Sequence, residues 1–117
     1  KPAFDANGTV TAGTSSPLTD GASAVLVTTE DYARKHDLPI LARIKSVSIS
    51  GCAPETMGLG PIISSQKAME RAGITAADLD VVELNEAFAS QAITCIKDLA
   101  SQCIGGGQGI ATVLEAV

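Results

Sequence analysis

An α/β domain built around one core is what this sequence predicts, and three observations carry the expectation. Short apolar, β-branched runs alternate along the chain with longer stretches of helical spacing. The hydrophobic share is 45%, yet the aromatic residues are only Phe4, Tyr32 and Phe88, so a core must be assembled from Ala, Val, Ile and Leu. Layers of strands and close-packed helices are made in that way. Finally, 117 residues suit one modest domain and scarcely two.

The elements follow in order. Residues 9–12 (Thr-Val-Thr-Ala) are expected as a short strand, and residues 13–21, rich in Gly, Ser, Thr and Pro, as a polar loop. Residues 22–28 form a nearly continuous run of small and β-branched side chains, which suits a strand buried on both faces. Thr29 caps a helix reaching Asp37, with Glu30 and Asp31 in its first turn and Arg34, Lys35 and His36 in its last, matching the helix dipole. That placement makes His36, the only histidine, a solvated helix-end residue in preference to a catalytic base. Residues 40–50 form a second strand whose apolar phase switches from Ile40, Ala42 and Ile44 to Val47 and Ile49, as a bulge or a change of covering layer would produce.

After a turn at residues 51–54, Met57-Gly58-Leu59-Gly60-Pro61 leads into a helix with Pro61 in its first turn and Gly73 as its stop. Ile62, Met69 and Ala72 share its expected buried side. Thr75 and Asp78 have the spacing of a capping box. Residues 81–84 read as a compact strand that delivers Asn85-Glu86-Ala87-Phe88 to a helix over residues 87–99, with Phe88, Ala92, Ile96 and Leu99 on one stripe. Residues 109–117 read as a closing strand.

Charge and composition exclude several classes. A net charge of −5 and a pI near 4.6 leave no basic stripe for a phosphate backbone, so nucleic acid is not an expected partner. No apolar run approaches the roughly 20 residues that span a bilayer, and Lys1-Pro2-Ala3-Phe4-Asp5 does not open like a signal peptide, so a soluble cytoplasmic protein is expected. Cys52, Cys95 and Cys103 lack metal-ligand spacing, and no metal site or disulfide framework is expected.

Two segments carry chemistry. In Cys103-Ile104-Gly105-Gly106-Gly107-Gln108-Gly109, a thiol stands beside backbone that can approach a substrate closely and aim N–H groups at a developing oxyanion. A flexible turn beside a buried, inert cysteine fits the same residues. Asn85 and Glu86 stand at the carboxyl end of an expected strand, where open α/β sheets bind ligands. By local rules alone, the preferred reading makes Asn85 an N-cap and Glu86 a favourable first-turn charge.

Taken together, Thr9 to Ser16 with Asp20-Gly21-Ala22, then Met57-Gly58-Leu59-Gly60-Pro61, Asn85-Glu86-Ala87-Phe88-Ala89 and the cysteine-glycine segment resemble, in order, the motifs of the C-terminal half of a thiolase. Their wording is most similar to the degradative 3-ketoacyl-CoA thiolases of bacterial fatty-acid oxidation complexes. The resemblance implies a thiolase-like α/β fold, a mixed sheet covered by helices, with residues 1–117 forming one C-terminal thiolase domain. It implies thiolytic cleavage of a 3-ketoacyl-CoA by CoA, with CoA as a substrate and no metal or prosthetic group. By resemblance, Cys103 exchanges protons with the leaving or incoming group, the Gly105 N–H contributes to an oxyanion hole, and Asn85 holds a water that polarises the thioester carbonyl. Met57 and Phe88 would line the acyl and pantetheine tunnel, and Ala12 and Ser16 would contact the pantetheine arm. Cys52 and Cys95 match no catalytic motif and read as small buried hydrophobes.

The departures from the family pattern are specific. The Gly-His-Pro motif expected between the Asn85 helix and the Cys103 segment is missing, because Leu99 passes almost directly into Ala100-Ser101-Gln102-Cys103. The N-terminal half with the nucleophilic cysteine, and the loop domain that holds much of the CoA, have no counterpart. His36 matches no catalytic motif. The expectation is therefore a partial thiolase lacking a segment after Leu99, inactive alone, and stabilised by a complementary N-terminal half. By resemblance it is a homo-oligomer that meets a hydratase/dehydrogenase subunit. The other expectation is a non-catalytic acyl-CoA-binding or assembly module of the same fold.

Overall fold

Glycine, serine and alanine, more than large apolar residues, decide how the centre of this molecule packs. The structure is a computed structural model that describes residues 1–101 and 109–117. Strand β1 (Ala42–Ser50) pairs antiparallel with β2 (Gly109–Ala116), and helix α2 (Gly60–Ala72) lies across one face of the pair. Among the described residues these two strands are the whole ladder. The face toward α2 carries Ser46, Ser48 and Ser50 opposite Val113, Ala111 and Gly109. The helix answers with Gly60, Ser64 and Ala68, spaced one turn apart and buried. Small side chains on both surfaces let the backbones approach until hydroxyls reach across, Ser46 Oγ donating to the Ala68 carbonyl at 2.6 Å and Ser50 Oγ to the Gly60 carbonyl at 3.3 Å. Ile62 and Met69 are buried as expected, each stabilising by about 1.5–3 kcal/mol, while Ala72 is half-buried.

The phase switch in β1 is a bulge. Pairing skips between Ile44 and Ser46, so Ile44, Val47 and Ile49 come to one face with Leu114, Thr112 and Ile110. That face points away from α2, and its apolar side chains are exposed. Pro61 in the first turn of α2 and Gly73 at its end behave as expected, Gly73 adopting φ 71° where a side chain would be strained.

Helix α1 (Glu30–Lys35) is capped by Thr29, whose hydroxyl accepts the Tyr32 N–H, and it ends at an exposed His36 stacked on Tyr32 with ring centroids 4.2 Å apart. Glu30 accepts from Arg34 at 2.6 Å and from Arg43 of β1 at 2.8 Å, and Arg43 and Lys45 also meet Glu115 of β2. Hydrogen bonding to Arg34, then to Arg43, holds the Glu30 carboxyl below its usual range. The Thr75 backbone and hydroxyl do the same for Asp78 in the expected capping box. Both carboxyls have folded values depressed below the unfolded ones, so their contribution is present above the ordinary carboxylate range and is lost as pH falls through the depressed values. The expected result is that Arg34→Gln raises the titration midpoint of Glu30 in a carbon-detected NMR pH series and leaves Asp78 where it was. An unmoved Glu30 would remove the ion pair as the cause.

Three expected strands do not form. Thr9 to Ala12 is overtaken by a 3-10 turn at Ala12–Thr14, closed by reciprocal Thr11 and Thr14 hydrogen bonds, with a lone bridge from Thr11 to Pro2. Ala22 to Thr28 and Val81 to Leu84 join no ladder, and Val25, Leu26, Val27, Val81 and Val82 are exposed instead of buried. β-branched composition favours a pleated surface, but a strand needs a partner for its N–H and C=O groups, and neither segment pairs with a described strand. Helix α3 (Ala89–Ser101) begins later than expected. Among its described side chains the buried ones are Gln91, Ala92 and Cys95, while Ile96, expected on the buried stripe, is exposed and Leu99 is half-buried.

Candidate functional site

Two concavities meet at Asn85. The first is an open cleft of about 880 Å³ between Gly13–Ser16 on one side and Glu83–Glu86 with the outer face of α3 on the other. The second is an apolar groove of about 570 Å³ that runs past Met57, Gly58, Phe88 and Cys95 toward β2. Asn85 lines both. Its side chain is exposed and makes no hydrogen bond among the described residues, while its carbonyl accepts the Ala87 N–H at 3.0 Å. The N-cap reading of Asn85 is not realised, because α3 opens at Ala89 and the Phe88 carbonyl accepts its first N–H, from Ala92. Glu86 likewise precedes the first turn.

The polar loop reaches this place through backbone pairing. The Ser16 N–H donates to the Ala87 carbonyl at 2.9 Å, and Ser15 bridges to Phe88. Ser15 Oγ donates to the Thr11 carbonyl at 2.6 Å, which fixes the loop onto its own turn. The Phe4 ring meets Phe88 edge-on at 6.4 Å. Thus Ser16, Asn85, Met57 and Phe88, dispersed in sequence, border one continuous surface. Ala12 heads the 3-10 turn and lines neither concavity. Cys103 and Gly105 lie outside the described residues. His36 lines neither concavity, in keeping with its place at a helix end.

Sequence reasoning missed Gly58 and Gln91. Met57 rides on a 3-10 turn (Pro54–Leu59) that packs on α3, and a Cβ at Gly58 would come within 3.1 Å of Gln91 Cγ and 3.2 Å of its Cβ. A polar residue on the buried side of an apolar helix was the available signal. Cys95, buried as expected, is pushed up in pKa by desolvation, whereas Cys52 is half-buried at the turn where the chain leaves β1, a correction to its expected burial. A thiol held protonated and shielded is a poor nucleophile. Iodoacetamide at mildly alkaline pH should therefore modify Cys52 well before Cys95 in a peptide-mapped time course, and equal rates would contradict the burial. Among the described residues no three His, Cys, Asp or Glu side chains group as metal ligands, and no helix is long and apolar enough to cross a membrane.

The profile of the thiolase C-terminal domain matches residues 38–102, and that of the thiolase N-terminal domain matches residues 1–31, so the match changes over in and just beyond α1. The 3-ketoacyl-CoA thiolase of Shewanella denitrificans is 46% identical over 165 aligned positions, taking in all of this chain and 43% of the relative. That of Shewanella baltica is 45% identical over the same spans. The alignment is longer than the 117 residues present, so the relatives carry internal positions with no counterpart here. The crystal structure of human mitochondrial 3-ketoacyl-CoA thiolase in complex with CoA superposes with a TM-score of 0.88 at 34% identity, covering 99% of this chain and 40% of the other. The dimeric peroxisomal thiolase of Saccharomyces cerevisiae superposes at 0.78 and 41% identity over 86% of this chain and 25% of its own. The chain thus spans less than half the length of the relatives it matches.

Proposed function

Because this chain belongs to the thiolase family, we propose that it carries one side of the acyl-CoA site of a 3-ketoacyl-CoA thiolase, an acetyl-CoA C-acyltransferase of fatty-acid β-oxidation, and does not turn over alone. The observation that carries the proposal is Asn85, which stands where a cleft of mixed polar and apolar lining, bordered by Ser16, meets the more apolar groove bordered by Met57 and Phe88. An acyl-CoA is graded in the same sense, an apolar acyl chain joined through a thioester to a pantetheine arm that carries amides. In this reading the acyl end lies along Met57 and Phe88, and the pantetheine arm crosses the Gly13–Ser16 side of the cleft. Asn85, with its amide unengaged, orders a water at the thioester oxygen. Cys103 moves the proton at the reacting carbon or thiol, and Gly105 offers its N–H to the oxyanion. CoA is a substrate, and no resident cofactor is required.

The remaining parts come from a complementary thiolase segment that supplies nucleophile and base, since a group that binds only the folded form stabilises it by mass action. A dimer and a hydratase/dehydrogenase neighbour complete the proposed assembly. The test mixes the chain with a fragment of the Shewanella denitrificans enzyme that carries the portions this chain lacks, then follows acetyl-CoA formation from acetoacetyl-CoA and CoA. Product above the sum of the separate pieces is expected, and no product from the chain alone. A mixture no better than its parts would overturn the proposal. The internal positions without counterpart favour one other reading, an acyl-CoA-binding module without chemistry. Submillimolar CoA binding by the chain alone, measured by calorimetry, would select it.

A further inference from the structure

The buried side of α3 contains a polar arrangement that the proposed chemistry does not use. Gln91 is 7% exposed and Cys95 1%. The Gln91 Nε2–H donates to Cys95 Sγ at 3.6 Å, and the Cys95 S–H donates to the Gly58 carbonyl at 3.8 Å. The Gln91 stem occupies the space that a Gly58 side chain would need. Two neighbours one helical turn apart therefore hold the same peptide, and the residue before it is Met57. The arrangement has a cost, because among the described residues Gln91 Oε1 is buried without a partner. A buried acceptor left unpaired destabilises a fold, and an apolar side chain of similar shape at this position would avoid the penalty. Stability alone does not explain a glutamine here.

We propose that Gln91, through Cys95 and Gly58, is a positioning residue that sets the direction of Met57 over the groove opposite Phe88. Met57 is 62% exposed and has a flexible thioether, so its own packing does not fix it. The turn beneath it does, and that turn is tied to α3 at Gly58. The inference rests on the reading of Met57 and Phe88 as the acyl side of the site.

The chain has two methionines, which supplies an internal control. Met69 is buried on α2, about 13 Å of helix rise beyond Gly60 along the same groove, whereas Met57 adjoins the Gly58 turn. With methyl-labelled methionine, Gln91→Leu and Cys95→Ala should each move the Met57 methyl resonance by more than its linewidth. Met69 should stay within its linewidth, and the thermal midpoint of Gln91→Leu should not fall. An unmoved Met57 in either folded variant overturns the proposal. So does a joint shift of both methyls with a falling midpoint, or the failure of both variants to fold, since each marks a merely structural role. If one variant alone fails to fold, the other decides. This readout needs no ligand. Acetyl-CoA titrated into the labelled chain mixed with the complementing fragment tests the groove itself, and a silent Met57 there would count against the functional reading while leaving the variant result intact.

Discussion

Gly109→Ala should lower the stability of this chain by about 1–3 kcal/mol, toward the upper end of what overpacking costs. A Cβ at Gly109 would lie 2.5 Å from the Gly60 carbonyl carbon, 2.6 Å from the Pro61 nitrogen and 2.7 Å from the Gly60 oxygen. All three are backbone atoms, so no rotamer change relieves the clash, and β2 or the first turn of α2 must move. Gly109 also pairs with Ser50 at the end of the ladder, and Ser50 and Ser64 both donate to that same Gly60 carbonyl. The displacement would loosen these bonds together. A natural domain of ordinary stability has about 5–15 kcal/mol in hand, so the loss is a large fraction. A urea titration followed by circular dichroism would show it as a lower midpoint, and an unchanged midpoint would mean that the contact is not made in solution.

Cys103→Ala should reduce acetyl-CoA formation in the complemented mixture by about 10²–10⁴-fold, the range general acid–base groups contribute. Under the proposed function the thiol carries a proton to or from the reacting carbon, and alanine removes that capacity with little change of volume. The loss should fall on kcat and kcat/KM together, because the interaction belongs to the transition state. Complementation by the variant should proceed as before, seen as co-elution of the two pieces. Thiolysis within a few fold of the parent would take the proton-transfer role away from Cys103, whereas loss of co-elution would assign the residue to assembly.

Local signals were legible where the chain itself supplies the partner. The Thr29 cap, the basic last turn before His36, the Pro61 and Gly73 bounds, the Thr75–Asp78 box and the closing strand all act within a few residues or along one continuous pattern. The bulge was legible for a related reason, since Ile44, Val47 and Ile49 keep one face only if a residue is skipped. Residues 22–28 and 81–84 failed because a strand is a property of two segments, and composition speaks for one. The stripe of α3 failed more subtly. Ile96 is the larger apolar residue, but the close approach at Gly58 selects Gln91 and Cys95 for burial, and that approach depends on a glycine thirty-odd positions upstream. Asn85 was singled out by its motif and by an expected strand that does not form; its place between two concavities depends on the Ser16–Ala87 bond, which no local rule anticipates.

The sheet is turned inside out relative to a usual half-buried pair, with serines inward and Ile44, Val47, Ile49, Ile110 and Leu114 outward. In handling, that should make the protein a salting-out species despite its charge of −5. Ammonium sulfate strengthens the drive to hide apolar surface and screens the repulsion that would keep copies apart. Precipitation should begin at modest salt, and threonine at positions 49 and 110 should move the onset upward without altering the circular dichroism spectrum. The open face would then be the property that governs how this chain is concentrated, stored and crystallised.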